Sequence, residues 1–147
     1  MRRHAPPELV LVDPPAAGAN FTQAVNDGYW WRLLSITCRL NTSATVADRT
    51  VRVEFRGADA VPFLLNGNPV TYPASTSNED FAFNVWQTEG AWEVGGANLG
   101  CLAPILLQPG QDFRLTVVNI QAADTLTRIR YVVERFVAPS SGEYYVG

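Results

Sequence analysis

Apolar and polar residues alternate with a period of two along several stretches of this chain, and proline, glycine and asparagine cluster between those stretches. Such a repeat lays apolar side chains on one face of a strand, whereas a helix needs a repeat near 3.6 residues. Leu34, Ile36, Cys38 and Leu40 alternate with Ser35, Thr37 and Arg39 inside a predicted strand from Tyr29 to Leu40. Over Arg49 to Arg56, Val51, Val53 and Phe55 are expected inside and Arg52, Glu54 and Arg56 in water. Phe81, Phe83 and Val85 repeat the pattern against Ala82, Asn84 and Trp86. Phe113, Leu115 and Val117 form one face of a further strand. Ile129, Tyr131 and Val133 point inward along a last strand from Leu126 to Val137. The phase slips after Val133, which predicts a bulge at Glu134-Arg135-Phe136.

The connections are equally informative. Asn26-Asp27-Gly28 and Pro109-Gly110 are strong turn signals. A polar, threonine-rich connection from Asn41 to Asp48 joins the first two long strands, which reads as a hairpin. Pro62, Pro69 and Pro73 cut the apolar pieces Val61 to Leu65 and Val70 to Tyr72. Ala74 to Asp80 reads as loop, Thr88 to Gly100 as a long glycine-rich loop or a loosely paired excursion. Leu102 to Leu107 reads as a short buried strand, and Asn119 to Asp124 as a polar connection. No segment carries a helical repeat. Seven or eight strands with long crossings predict an all-β antiparallel β-sandwich of jelly-roll type. An immunoglobulin sandwich would call for a Cys-Trp-Cys spacing that this chain lacks.

The ends differ from the middle. Pro6-Pro7 and Pro14-Pro15 bracket a short apolar run, Leu9, Val10, Leu11 and Val12. Proline forbids helix and confines pairing to an edge. Residues 1–24 are therefore expected as an extended N-terminal arm, 25–138 as the sandwich and 139–147 as a C-terminal tail. The alternative reading of the first segment is an edge strand of the domain itself.

Chemistry-bearing residues are scarce. His4 is the only histidine, lysine is absent, and Cys38 and Cys101 stand far apart. Most routes to general-base, Schiff-base or metal catalysis need one of those groups in the body of the chain. No catalytic residue, metal or cofactor is expected, and the two thiols are expected free and buried, with a Cys38–Cys101 disulfide as the alternative if their strands pack together. A net charge of −3 argues against nucleic-acid binding. No run approaches the ~20 apolar residues that a membrane-spanning helix requires. Only 17% of residues are charged, which leaves wide neutral surface for contact with other proteins.

Trp30-Trp31-Arg32-Leu33-Leu34-Ser35-Ile36, Asp48-Arg49-Thr50-Val51-Arg52-Val53, Leu107-Gln108-Pro109-Gly110 and Asn119-Ile120-Gln121-Ala122-Ala123-Asp124 follow one another in a recognisable order. Over roughly residues 26–137 the chain resembles small jelly-roll virion proteins of tailed bacteriophages. The resemblance implies a structural protein, most simply a capsid decoration or cement protein on the outer head surface. Its implied partners are the major capsid protein or other virion proteins, its implied state a homotrimer, and its implied location the virion, assembled in the host cytoplasm. An accessory neck or tail protein is the alternative within that class, and a carbohydrate-binding module the alternative outside it.

Candidate interface residues follow from exposure arguments. Trp30 and Trp31 are adjacent on a strand, so one enters the core and the other faces out. Trp86 and Trp92 flank the glycine-rich loop, suited to cover by another segment of the chain, to a protein interface or to stacking on a sugar. Arg128 and Arg130 lie on the outward face of the last strand. Leu9, Val10, Leu11 and Val12 in the arm and Tyr144 and Tyr145 in the tail complete the set. Glu79-Asp80 and the Glu89/Glu93 pair read as solvated loop charge.

Overall fold

A computed structural model of the chain describes residues 6–68, 70–86, 93–94 and 97–138. Ten strands run in order: β1 (Glu8–Leu11), β2 (Phe21–Ala24), β3 (Tyr29–Asn41), β4 (Thr50–Arg56), β5 (Pro62–Gly67), β6 (Glu79–Asn84), β7 (Glu93–Val94), β8 (Ala97–Cys101), β9 (Asp112–Val118) and β10 (Thr125–Val137). They build one sheet in the order β1-β10-β3-β6-β8-β7 and a second in the order β2-β9-β4-β5. The chain passes from β1 to β2, β2 to β3 and β3 to β4 by changing sheet each time, and again from β5 to β6, β8 to β9 and β9 to β10. That alternation is the jelly-roll arrangement of two facing sheets. Among the described strands the one departure from antiparallel pairing is β8, which runs parallel to β6, with the short β7 outside it.

The apolar faces meet between the sheets. Ile36, Cys38 and Leu40 of β3, Phe81 and Phe83 of β6, and Ile129, Tyr131 and Val133 of β10 pack against Val51, Val53 and Phe55 of β4 and Phe113, Leu115 and Val117 of β9. All are at most 3% exposed, so the period-two pattern identified these core positions. Trp31 also enters the core, while Trp30 faces outward and is half-buried. Gly100 sits where a Cβ would lie 2.3 Å from the Phe83 ring, so the parallel β6–β8 pairing needs a residue without a side chain there.

Several expectations are corrected. Residues 8–11 and 21–24 are strands of the sandwich, not a free arm: β1 pairs with β10 along one edge and β2 with β9 along another. Val10, Val12 and Phe21 pack against the core. The flanking prolines limit β1 to four residues without preventing edge pairing. β3 and β4 do not form a hairpin, because each carries one apolar face and the connection lets those faces meet across the sandwich. Glu54 is 4% exposed rather than in water, covered on the outer face and held by Arg52, whose Nε and second guanidinium nitrogen donate to its carboxylate. Residues 102–106 form no strand. Pro104 has no N–H to give, and the Ala103 amide donates instead to the Asn66 side chain at 3.0 Å. Glu79 and Asp80 open β6 rather than lying in a loop.

The bulges in the β10–β3 ladder fall elsewhere than predicted. One lies between Val132 and Val133, where Leu34 of β3 is the extra residue. Another lies between Thr127 and Arg130, where β10 carries the extra residue and Arg128 adopts a positive φ of 52°.

Candidate interaction surface

The outer face of the larger sheet is assembled from the polar halves of the same alternations. On β10, Arg130 and Val132 point out; on β3, Ser35, Thr37 and Arg39; on β6, Asp80, Ala82 and Asn84. On β1, Leu9 and Leu11 point out beside Val132 and Arg130, at 60% and 70% exposure. This row of small and polar residues leaves a shallow depression of about 230 Å³ over Thr37 and Ala82. Asp80 bounds it on one side, Arg128 and Arg130 on the other.

Charge is unevenly arranged around the depression. Arg39 donates two hydrogen bonds to the Asp80 carboxylate, at 2.7 and 2.8 Å, so that pair is mutually satisfied. These bonds hold the Asp80 carboxyl below its ordinary range, and the charge of Arg128 adds to the effect. Arg128 and Arg130 are exposed, and among the described residues neither has a carboxylate at ion-pair distance. Arg128 and Arg130 lie on the outer side of β10 while Ile129 between them is buried. The Cys38 thiol lies beneath this floor, buried, and its pKa is pushed up by burial and then by Asp80. Cys101 is a separate, half-buried thiol.

A second apolar row lies on the outer side of β5, at the far edge of the smaller sheet. Phe63 and Leu65 are 52% and 53% exposed, and Val61 precedes them at 58%. Trp86 is 68% exposed just past β6, its backbone amide donating to Asn84.

The structure thus brings four of the sequence-derived interface residues together on one face: Leu9, Leu11, Arg128 and Arg130. Val10 and Val12 turn inward and pack against the core, because neighbours on a strand point to opposite faces. Trp86 does not line the depression. Trp92, Tyr144 and Tyr145 lie outside the described residues, as do His4, Glu89 and the Gly95-Gly96 pair. Among the described residues no group of three or more His, Cys, Asp or Glu side chains converges as a metal site.

Sequence reasoning missed the strongest polar feature of the molecule. Arg49 and Asp124 form an ion pair whose side chains are both 0% exposed, with Nε to Oδ2 at 2.9 Å and a second bond at 3.0 Å. Arg49 also donates to the carbonyls of Ala47 and Thr45, and Asp124 accepts the amides of Ser43 and Gln121. Backbone bonds tie Gly18 to Asp124, Arg49 to Tyr72 and Ser75 to Ser43. Four connections therefore meet at one end of the sandwich around one buried pair. Burial raises the Asp124 pKa, but the Arg49 and amide hydrogen bonds overcome it and bring it down to about 2. The 43–48 loop held by these bonds carries Val46 at 91% exposure.

No protein-family model matches the chain, and no curated protein matches it. Among solved structures, a chain from a structure of infectious bursal disease virus, Gt strain, is similar with a TM-score of 0.39 and 10% identity. The match covers 96% of this chain and 38% of the viral one. A likeness of that size carries no inference about function. The fold class rests on the strand order itself: an all-β jelly-roll sandwich.

Proposed function

We propose that this chain is a structural virion protein of a tailed bacteriophage, a decoration protein that binds the outer head surface as a homotrimer and braces neighbouring capsomers. The observation that supports this reading most is the exposed strip of Leu9, Leu11, Arg128 and Arg130 on one sheet face. Apolar side chains left beside unpaired arginines are the mixture found at the centres of protein interfaces. Covering Leu9 and Leu11 contributes about 1.5–3 kcal/mol each, and a symmetric assembly multiplies that on a repeating lattice. The apolar row on β5 supplies a separate surface on the far edge, which suits a protein that contacts two neighbours at once.

The test is co-sedimentation of purified protein with isolated phage heads. Saturable binding in a fixed ratio to the capsid subunit, weakened by Leu9→Ser with Leu11→Ser, supports the reading. Recovery of all protein at the top of the gradient overturns it.

Trp86 favours a second reading, a carbohydrate-binding module, because a solvent-facing indole can stack on a sugar ring. Glycan-array binding that disappears in Trp86→Ala would replace the first reading with this one.

A further inference from the structure

Arg128 combines two features that are individually unusual. It is a non-glycine residue in the left-handed region, at φ 52°, inside a strand. Its guanidinium is also exposed, with no carboxylate partner among the described residues. Backbone strain of this kind persists only where surrounding structure enforces it, and it concentrates at sites that bind. Here the enforcing element is the bulge opposite Cys38. Arg128 and Arg130, two residues apart on β10, share its outer face.

The depression beside them has a floor of small side chains, Thr37 and Ala82, and so admits the backbone of an extended segment. Three guanidiniums, those of Arg39, Arg128 and Arg130, face one carboxylate, Asp80, on a protein whose net charge is −3. The patch is locally cationic on an anionic molecule. A polyanion such as nucleic acid would be repelled by the rest of the surface, since its binding rests on many phosphate contacts. A short acidic peptide segment would meet the patch alone. Carboxylates at alternate residues of an extended chain lie on one face about 6.7 Å apart, so two in succession can meet Arg128 and Arg130. Guanidinium and carboxylate also match as forked, bidentate pairs. Leu11 lies directly across from Arg130 on β1 and Leu9 two residues along, so apolar residues of the same segment would find cover next to the arginines.

We infer that the depression between Arg128, Arg130 and Asp80 is a docking groove for an extended, acidic and partly apolar segment of a partner virion protein. This rests on the proposed virion role and names the chemistry of the partner at that surface.

The experiment uses the full chain and a fluorescein-labelled octapeptide alternating aspartate and leucine, followed by anisotropy. The variants are Arg128→Asn, which accepts a left-handed backbone, Arg130→Ser, and the two combined. Circular dichroism and a melting curve establish that each is folded. Saturable binding is expected, weakened by roughly tenfold for each arginine lost and weakened by added salt. The counterpart peptide with asparagine for aspartate should bind at least as weakly as the double variant does. Equal binding of the acidic peptide to wild type and to the folded double variant overturns the proposal. So does full displacement by millimolar inorganic phosphate, which would reduce the groove to a simple anion site. Conversion of an oligomer to a monomer in the double variant would make a second copy of this chain the occupant and likewise overturn it. The two levels of the account separate cleanly. Peptide binding without head binding sinks the virion role and leaves the groove. Head binding unchanged in the double variant sinks the groove and leaves the virion role.

Discussion

Replacing Arg49 should be among the most damaging single substitutions in this protein, although it removes a residue from a loop boundary. Asp124 is 0% exposed, so Arg49→Met leaves a buried carboxylate facing a thioether. Breaking a buried pair in this way typically costs about 3–5 kcal/mol. The carbonyls of Thr45 and Ala47 lose their donor as well, but Thr45 is exposed and Ala47 half-buried, so water can replace much of it. A loss of about 3–5 kcal/mol is a large part of the 5–15 kcal/mol available to an ordinary domain. Asp124→Asn should cost somewhat less, because the amide oxygen can still accept from Ser43 or Gln121. The double variant Arg49→Met with Asp124→Leu discriminates best. A buried pair that only balances its own charges can be exchanged for apolar residues at little cost. This pair also satisfies backbone groups of two loops, so the double variant should stay destabilised by about 2–4 kcal/mol, as those groups are orphaned. Urea unfolding at neutral pH, compared at constant m-value, measures it. A double variant as stable as wild type would refute the view that the pair organises the loops.

The same pair sets an acid limit. With Asp124 near 2 in the fold and near 3.8 unfolded, its contribution is complete above pH 4 to 5 and fades as pH falls through 2. That difference is worth up to about 2.5 kcal/mol, and Asp124→Asn should flatten stability over that window in acid titrations followed by circular dichroism. Gly100→Ala should destabilise by about 1–3 kcal/mol, since the added Cβ overlaps a Phe83 ring that has no room to move; a thermal melt unchanged from wild type would place β8 wrongly. Arg52→Ser should cost about 1–3 kcal/mol rather than behave as a surface change, because Glu54 is left buried without its donor; a denaturation midpoint indistinguishable from wild type would show Glu54 to be hydrated. A chain starting at Thr22 should lose several kcal/mol, since it removes the β1 ladder on β10 and the partly buried Val10, Val12 and Phe21, each contributing part of the about 1.5–3 kcal/mol of full burial; a melting curve like that of the full chain would return residues 1–21 to the status of a free arm.

What the residues revealed in advance, and what they hid, divides along physical lines. The interior of β3, β4, β6, β9 and β10 was legible because each strand has one wet and one dry face, and alternation reports that directly. β1 and β2 were obscured by their own prolines: a four-residue edge strand next to Pro6-Pro7 and Pro14-Pro15 has the composition of a tail. Its pairing with β10 is a long-range fact that no local pattern contains. The partners of β3 and β4 were misjudged for a related reason, since alternation fixes a face and not the neighbour on either side. The Arg49–Asp124 pair left no local mark at all. An arginine before a strand and an aspartate after a turn are ordinary surface residues until the loops that carry them close over each other. At the candidate surface, outward placement of Arg128 and Arg130 was readable from phase, but the bulge at Arg128 came only from register.

Immunogold labelling of purified phage virions with an antibody to this chain tests the central claim most directly. The account predicts gold distributed over the head surface in a regular number per particle, and loss of that label in particles assembled with the Leu9→Ser, Leu11→Ser protein. Label confined to the neck or tail would retain a structural role and refute decoration of the head. Virions free of label, with the protein recovered only in the unassembled fraction, would contradict the account.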